Sequence, residues 1–421
     1  MALFMSVPEH APANVAPAWS CDHDTWLVFC TAIDNFGDIG VCWRLARQLV
    51  VEHEQQVVLY IDDWHKALVF LQREDGCSLT HIEEQGVLLR RWHDGIDWTA
   101  SLASAGMVIE AFGCSLPDTL IEAMAKEGGR RAPPCWVNLE YLSAEAWVED
   151  YHGQQSIQSA PVTGTCATPV VLKKTFFFPG FTAATGGLIR ERHLLASHQA
   201  WQAEQARTRA ELVPASGCAH DRSLWISLFA YPRPPGNVAL RSWFAALAEG
   251  AEPVLCVVPA GSLLVDVADA LELTHTPAVG EVICRDSLSV AVIPFLSLDD
   301  YDRLLSVCDL NLVRGEDSFV RAQWAARPLI WHIYPQQDDA HQLKLDAFLE
   351  RYGEDRWSPG SADKLARFTR FWNLDADCRK LWHDLRPQLP DLTHRARNWQ
   401  QKLAALPDLA SSLMQFYRNR P

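Results

Sequence analysis

The 421-residue sequence lacks the short motifs that identify several large classes of enzyme. It has no Gly-x-x-x-x-Gly-Lys-Ser/Thr phosphate loop and no Gly-x-Gly-x-x-Gly dinucleotide motif, which disfavours an ATPase or a dehydrogenase. It also has no His-Glu-x-x-His motif, and its histidines show no zinc-binding spacing. The chemistry of this protein must therefore be sought in other residues.

Features of secreted, membrane and nucleic-acid-binding proteins are scarce as well. The 12 cysteines are scattered without a Cys-x-x-Cys pair, which is typical of reduced core cysteines in a cytoplasmic protein. No window reaches the roughly 18 uninterrupted apolar residues of a membrane span, and the Ala- and Pro-rich start does not resemble a secretory signal. The net charge of −15 argues against a broad nucleic-acid surface and permits a basic protein partner.

What is present is material for large ordered cores. Hydrophobic residues make up 48% of the chain and charged residues 21%, and there are 17 tryptophans. These values describe an ordered globular protein, and the length favours two or three domains, of which we expect two.

Strands and helices alternate along both halves of the chain. The pattern predicts strands near 25–32, 56–61, 86–92, 107–111 and 135–139, and again at 223–229, 254–258, 288–293, 310–313 and 329–333. Between the two series lies an irregular stretch, 141–222, that includes a helical run from about Glu191 to Leu212. Such alternation implies α/β domains with parallel sheets covered by helices on both faces.

The expected fold is therefore two facing Rossmann-like domains, the glycosyltransferase B-type architecture. Nucleotide-sugar epimerases share this plan, so the fold alone does not decide the function. We divide the chain into a loose tail (1–24), a first domain carrying the Asp loop (25–215), a nucleotide-sugar-binding domain (216–385) and C-terminal helices (386–421). The last helix is expected to pack back across the first domain.

The segment Ala32-Ile-Asp-Asn-Phe-Gly-Asp-Ile-Gly-Val41 is the most informative part of the sequence. It follows a predicted buried strand and opens an amphipathic helix, which is where open α/β domains keep their chemistry. Gly37 and Gly40 allow a sharp bend and the close approach of a ligand. Asp34 and Asp38 are candidate catalytic carboxylates, although a single Asp before a helix more often serves as its cap.

A second strand-loop-helix junction is Asp309-Leu-Asn-Leu-Val-Arg-Gly-Glu-Asp-Ser318, with a short helix predicted from Phe319 to Ala326. The free N–H groups at a helix start near Ser318 suit a diphosphate, and Arg314 adds charge-assisted hydrogen bonds. Phosphate would repel Glu316 and Asp317, so we expect them beside sugar hydroxyls or beside Arg314. The alternative is a capping cluster with a surface ion pair.

Aromatic side chains near strand ends are candidates for binding a planar base. Phe229 and Tyr231 end the first strand of the second series, and Tyr301 lies in the helix that opens at Asp299. Taken singly, each of these residues is more often part of a core.

Five separated segments together resemble the bacterial elongation factor P arginine rhamnosyltransferases. The resemblance covers about residues 25–385 and rests on segments 33–40, 138–143, 178–187, 227–231 and 313–322. It implies an inverting enzyme that moves L-rhamnose from dTDP-β-L-rhamnose to an arginine of elongation factor P, a modification that helps ribosomes pass polyproline stretches. The N-terminal tail and a Ser/Thr-rich insert near 155–168 depart from the family.

The resemblance also implies roles for the candidate residues. Asp38 matches the general base, with Asp34 supporting it, and Glu316 joins them as a catalytic carboxylate. The donor is expected to contact the remaining candidates, with Phe229 and Tyr301 enclosing the thymine: Phe36, Gly37, Phe229, Tyr231, Tyr301, Arg314, Asp317 and Ser318.

A metal cofactor is not expected. The one Asp-x-Asp pair that we weighed as a metal site, Asp375-Ala-Asp377, lies in a late helical region rather than after an early strand, so we interpret it as solvated surface. From the residues alone, the sequence predicts a two-domain transferase acting on a nucleotide-activated substrate. A nucleotide-sugar epimerase and a non-catalytic nucleotide-binding partner of the translation apparatus are the alternatives.

Overall fold

The computed structural model describes residues 24–420, except for 35, 74–78, 94, 127–132, 160–170, 215–222, 234–235, 337–338 and 355–358. The predicted tail, apart from Asp24, and most of the Ser/Thr-rich insert lie outside the described residues. The predicted domain boundary at 215–216 lies outside them too. Among the described residues, no helix is both long enough and apolar enough to cross a membrane.

The first sheet has eight strands in the order β3-β4-β2-β1-β5-β6-β8-β7. Its centre is parallel, with Val28 of β1 opposite Leu59 of β2 and Ile109 of β5. The outer pairs β3–β4 and β7–β8 are antiparallel. The strands are β1 Thr25–Cys30, β2 Gln56–Ile61, β3 His81–Glu84, β4 Val87–Arg91, β5 Ala105–Ala111, β6 Cys135–Leu139, β7 Gln155–Ser159 and β8 Val171–Phe177.

In the described part of this domain, five helices lie between the strands of the sheet. They are α1 Gly37–His53, α2 Trp64–Phe70, α3 Trp98–Leu102, α4 Asp118–Lys126 and α5 Trp147–Tyr151. β1 is buried along its whole length, and α1 is buried without interruption from Asp38 to Ala46, so its first half is covered on every face. The buried strand and the buried start of the helix therefore place the intervening Asp loop at the carboxyl end of the strand.

The second sheet has six strands in the order β11-β12-β10-β9-β13-β14. All neighbours are parallel except β11–β12. Two helices, α6 Leu194–Ala203 and α7 Gln205–Leu212, precede it. The remaining elements are β9 Leu224–Leu228, α8 Val238–Ala248, β10 Val254–Pro259, α9 Leu264–Ala270, β11 Val282–Arg285, β12 Leu288–Ile293, α10 Leu298–Val307, β13 Leu310–Arg314, α11 Asp317–Trp324, β14 Leu329–His332 and α12 Ala340–Gly353.

After α12 the chain forms further helices, of which the last returns to the first domain. These are α13 Pro359–Asn373, α14 Arg379–Leu385, a 3₁₀ turn at Arg386–Gln388, α15 Leu389–Ala404 and α16 Leu409–Arg418. Trp399 of α15 is buried in the core of the second domain. Leu413 and Met414 of α16 instead join the core of the first domain, where α16 contacts α1.

The predicted strands are confirmed, but the edge strands β3, β7 and β11 and the adjacent β8, which pairs in parallel with β6, were not predicted. In β3 only Ile82 is buried, so the segment His-Ile-Glu-Glu carries little strand pattern. The single helical run predicted from Glu191 to Leu212 was wrong in detail. Two helices occupy this region, and the chain leaves helical geometry at Glu204, where φ is −106° and ψ is 35°.

Candidate active site

A cleft of about 630 Å³ opens between the two sheets, at the carboxyl ends of their strands. Its wall is largely apolar, and four polar or charged residues project into it from two loops: Asp34, Arg314, Asp317 and Ser318. Gly37 also borders the cleft. The apolar part of the wall consists of Phe36, Phe70, Phe229, Pro259, Phe295, Leu296, Leu298 and Tyr301.

Asp38 lies in the first turn of α1, behind the loop that follows β1, and is 3% exposed. Its Oδ2 atom accepts hydrogen bonds from the backbone N–H of Ile33 at 2.9 Å and of Asp34 at 2.8 Å. Its Oδ1 atom lies 3.4 Å from the hydroxyl of Tyr141, which donates to it. Burial raises the pKa of Asp38 to about 6, and the charges of Asp34 and Glu316 act in the same direction.

Asp34 faces the cleft directly. Its Oδ2 atom accepts a 2.5 Å hydrogen bond from the hydroxyl of Tyr231, which belongs to the second domain. Burial raises the pKa of Asp34, while the bond from Tyr231 and the charge of Arg314 partly oppose that rise. This carboxylate is therefore held by the opposite domain but remains open to a ligand.

Gly315 allows the two loops to meet. Its φ is +64°, and a Cβ atom there would lie 2.5 Å from Oδ2 of Asp34 and 2.9 Å from the hydroxyl of Tyr231. Any side chain at this position would displace the carboxylate, so the close approach requires glycine.

Glu316 completes a group of three carboxylates. Its Oε2 atom accepts a hydrogen bond from the backbone N–H of Leu142 at 3.1 Å, and its Oε1 atom accepts one from Lys344 at 2.9 Å. Burial is the main cause of the raised pKa of Glu316, as it is for Asp34 and Asp38. Asp34, Asp38 and Glu316 thus form a group of partly desolvated carboxylates at the domain junction, in which Asp34 faces the cleft and Glu316 is paired with Lys344.

The second loop leads into α11, which begins at Asp317 rather than at the predicted Phe319. The Arg314 guanidinium lies 4.4 Å from the ring centroid of Phe229 and 4.9 Å from that of Tyr231. Ser318 accepts a hydrogen bond from the backbone N–H of Arg314 at 3.2 Å and donates one to its carbonyl. A positive side chain and a helix N-terminus thus face the cleft together, as an anion site requires.

The expectation that Glu316 and Asp317 lie against sugar hydroxyls or beside Arg314 is corrected in part. Glu316 binds Lys344 and the Leu142 backbone, and Asp317 is paired with Arg44 of α1 at 2.8 Å. Both carboxylates are thus engaged by cations other than Arg314, because the opposite domain and α12 approach this loop. Asp317 still borders the cleft, whereas Glu316 does not line it.

Phe229 and Tyr301 share the cleft wall, with ring centroids 5.7 Å apart in an edge-to-face arrangement. Phe36 packs against Phe295, with their ring centroids 5.4 Å apart. Tyr231, predicted beside the base, lies behind the cleft, where its hydroxyl is directed at Asp34. The structure thus brings most of the predicted side chains to one place, and contact between Tyr231 and the donor stays a prediction.

Several residues of the site were missed. Phe295 lies two residues after the predicted strand 288–293, so its position near a strand end was an available signal. Tyr141 and Leu142 lie in segment 138–143, one of the five on which the resemblance rests, but no role was predicted for them. Lys344 comes from α12, distant in sequence, and no local pattern marked it.

Asp375 and Asp377 have structural partners. Asp375 pairs with Arg233 at 3.0 Å and accepts the backbone N–H of Ala239 at 2.9 Å. Asp377 accepts the backbone N–H of Arg379 at 2.8 Å. Within the described ranges, no group of three or more His, Cys, Asp or Glu residues is arranged to hold a metal ion.

Two Rossmann-like domains that face each other across a ligand cleft form the glycosyltransferase B-type architecture. The family profile described as "Elongation-Factor P (EF-P) rhamnosyltransferase EarP" matches residues 26–418. The chain therefore belongs to the EarP family of elongation factor P rhamnosyltransferases and is a glycosyltransferase.

Individual relatives agree with this assignment. A protein-arginine rhamnosyltransferase from Pseudomonas aeruginosa is 44% identical over 394 residues, which cover 93% of this chain and 98% of that relative. One from Neisseria meningitidis is 32% identical over 397 residues, covering 92% and 96%. A solved structure described as the structural basis for EarP-mediated arginine glycosylation of translation elongation factor EF-P has 34% identity and a TM-score of 0.64. It covers 94% of this chain and is itself covered completely.

Proposed function

We propose that this protein transfers L-rhamnose from dTDP-β-L-rhamnose to an arginine side chain of elongation factor P, with inversion at the anomeric carbon. The observation that carries the proposal is the group of carboxylates Asp34, Asp38 and Glu316 beside an aromatic cleft that also holds Arg314 and the start of α11. The names of the relatives supply the sugar and the arginine, and the names of the family and of the solved structure supply the protein acceptor.

The acceptor side of the proposal follows from the chemistry of arginine. A guanidinium has a pKa above about 12 and no free lone pair, so it must lose a proton to attack carbon. Asp38 is the proposed base, because two backbone N–H groups fix its Oδ2, while its Oδ1 has only the long 3.4 Å bond from Tyr141 and can accept the proton. Asp34, open to the cleft, is proposed to orient the guanidinium by a hydrogen bond.

The reaction then proceeds as a single displacement. The nitrogen forms a bond to the anomeric carbon on the face opposite the leaving group, and the bond from that carbon to the diphosphate oxygen breaks. Asp38 takes the proton that the nitrogen releases, and dTDP leaves with the bonding electron pair. The product is α-linked rhamnose from a β-linked donor.

The donor side uses the cleft. Thymine is proposed to pack against Phe229 and Tyr301, whose faces suit any planar base. The diphosphate is proposed to meet Arg314, Ser318 and the start of α11. These groups would stabilise the negative charge that develops on the departing dTDP.

No metal is required in this scheme, because Arg314 and the N-terminus of α11 supply the positive charge. We expect a chelator such as EDTA to leave the initial transfer rate within about twofold of the untreated rate. The measurement is the rate of rhamnose transfer after extensive dialysis against EDTA, with and without added Mg²⁺ or Mn²⁺. Loss of transfer that either ion restores would contradict the metal-free scheme.

The decisive experiment is the intact mass of purified elongation factor P after incubation with this protein and dTDP-β-L-rhamnose. We expect a gain of one deoxyhexose, localised by fragmentation to a single arginine. A rearranged free sugar nucleotide without a modified acceptor would identify an epimerase instead. Complex formation with elongation factor P and unconsumed donor would identify a non-catalytic partner.

A further inference from the structure

A buried network of charges joins the two domains behind the proposed active site. Its members are Arg44 from α1 of the first domain, Glu191 from the segment before α6, and Asp302, Asp317 and Arg321 from α10 and α11 of the second domain. The Asp302 carboxylate accepts hydrogen bonds from the guanidinium groups of both Arg44 and Arg321. The network therefore forms a buried polar contact between α1 of the first domain and α10 and α11 of the second.

Within this network, Arg44 connects α1, the helix that carries Asp38, to Asp317 at the start of α11. Its Nη1 and Nη2 atoms donate to Asp302 at 3.1 and 3.2 Å, while its Nε atom lies 2.8 Å from Oδ1 of Asp317. The Arg44 side chain is fully buried. Asp317 borders the cleft. Asp38 lies on the same helix as Arg44, six residues earlier, which corresponds to about 9 Å along the axis.

The steric fit at this crossing is tight as well. Gly40, one turn before Arg44, is so close to Asp317 that a Cβ atom on it would lie 3.2 Å from the carboxyl carbon. The absence of a side chain at Gly40 therefore lets α1 approach the start of α11. The ionic contact and the steric contact act on the same pair of helices.

We propose that Arg44 is a positioning residue that fixes α1, and with it Asp38, relative to the donor loop at the start of α11. Sugar transfer therefore depends on Arg44, whereas binding of the nucleotide does not. This inference rests on the proposed function, because it assigns the two loops to the base and to the donor. Arg44 itself does not line the cleft.

The geometry requires an arginine. A guanidinium is a rigid plane whose charge is spread over three nitrogens, so its two terminal nitrogens can donate to Asp302 while its Nε side stays in ionic contact with Asp317. A lysine ammonium is a single point on a flexible stem and cannot keep both distances together. Arg44→Lys thus preserves the charge and removes the fixed spacing.

The test compares Arg44→Lys with Arg47→Lys in the full-length enzyme. Arg47 lies on the same helix and also contacts Glu191, at 3.3 Å, but its other ionic partner is the exposed Asp299 rather than a cleft residue. For each protein, kcat and KM are measured with elongation factor P. The Kd and stoichiometry of dTDP are measured by calorimetry, and hydrogen exchange is followed in α1 and α11.

We expect Arg44→Lys to lower kcat at least about tenfold, because a small displacement of reacting groups is costly. Its Kd for dTDP should stay within about threefold of the wild-type value at a stoichiometry near one, because the nucleotide groups belong to the second domain. Amides of α1 and α11 should exchange faster. Arg47→Lys should resemble the wild type in all these measurements, and Gly40→Ala should reproduce the loss of kcat.

Any one of three kinetic or binding results would overturn the inference. These are wild-type kcat in Arg44→Lys, a rise in the Kd for dTDP that matches the loss of kcat, or a loss that equals a fall in binding stoichiometry. Unchanged hydrogen exchange of α1 and α11 in Arg44→Lys would also overturn it. This measurement needs no transfer activity, so it applies even if the wild-type enzyme fails to modify elongation factor P. That failure alone would refute the proposed function, so the two conclusions remain separable.

Discussion

Asp34 and Asp38 have the same side chain but different surroundings. Asp38 is nearly inaccessible and its Oδ2 atom is fixed by backbone groups, whereas Asp34 borders the cleft and is held by Tyr231. A buried carboxylate is a stronger base than an exposed one, because desolvation disfavours its charged form. The assignment of Asp38 as base and Asp34 as the orienting group follows this difference.

The pH dependence of transfer tests the proposed base. The pKa of Asp38 is raised to about 6, mainly by burial, and only the ionised carboxylate can accept a proton. We therefore expect kcat to increase as pH rises through about 6 and then level off, with a tenfold fall per unit below that value. Asp38→Asn should abolish transfer while dTDP still binds. Near wild-type transfer by Asp38→Asn would show that another group is the base.

Arg314 offers a prediction on donor binding. Replacement by alanine removes a guanidinium beside the proposed diphosphate, so we expect the Kd for dTDP to rise about 30-fold or more, or roughly 2 kcal/mol or more. Calorimetric titration with dTDP measures this change. The matched control is Arg241→Ala, because Arg241 is half-exposed and pairs with Asp269 at 3.0 Å away from the cleft. Equal affinities in the two variants would exclude Arg314 from the anion site.

At the scale of single elements, the loop after β13 is organised by one glycine. Gly315 has a positive φ and lies against Asp34, so Gly315→Ala meets both backbone strain and a steric clash. We expect about 1–2 kcal/mol of lost stability from the left-handed conformation and, in addition, loss of transfer as Asp34 is displaced. The free energy of unfolding in urea and the value of kcat report the two effects separately.

Gly280→Ala is the control for that prediction. Its φ is +87°, and a Cβ atom there would have no neighbour within 4 Å. It should lose a similar amount of stability and retain kcat. If Gly315→Ala behaved like Gly280→Ala, the close contact with Asp34 would have no catalytic consequence.

The comparison between sequence and structure also belongs at this scale. Buried parallel strands such as β1 and β10 were predictable, because continuous apolar runs bounded by loops occur there. The alternation of strands and helices placed the Asp loop and the Arg314 loop in advance at the carboxyl ends of parallel strands. Partners that depend on the meeting of the domains were not predictable. Arg44 and Lys344 appear in helices as ordinary polar residues, and only the assembled fold shows what they contact.

Over the whole molecule, α16 joins the two domains because it follows α15, which lies in the second core, and packs in the first core. Leu413 of α16 is fully buried there. We expect Leu413→Ala to lower the free energy of unfolding by about 2–5 kcal/mol, measured in urea, because a buried cavity replaces the side chain. Binding of dTDP at low denaturant should be preserved, since the nucleotide groups lie in the other domain.

Leu343→Ala is the corresponding control, because this leucine is 68% exposed. Its effect on stability should be below about 0.5 kcal/mol. Similar losses in both variants would mean that α16 does not stabilise the first domain through its apolar face.

The chain passes between the domains twice, and the two passages touch. Gly187, in the first passage, is so close to Pro407, in the second, that a Cβ atom on it would lie 2.1 Å from the Pro407 carbonyl oxygen. The backbone N–H of Leu409 donates to the carbonyl of Leu188 at 3.0 Å, and Arg190 donates to the carbonyl of Ala404 at 2.8 Å. The two segments that connect the domains therefore pack side by side and form a single hinge. Any opening of the cleft therefore has to be a rotation about this point, with the largest displacement at the rim farthest from it.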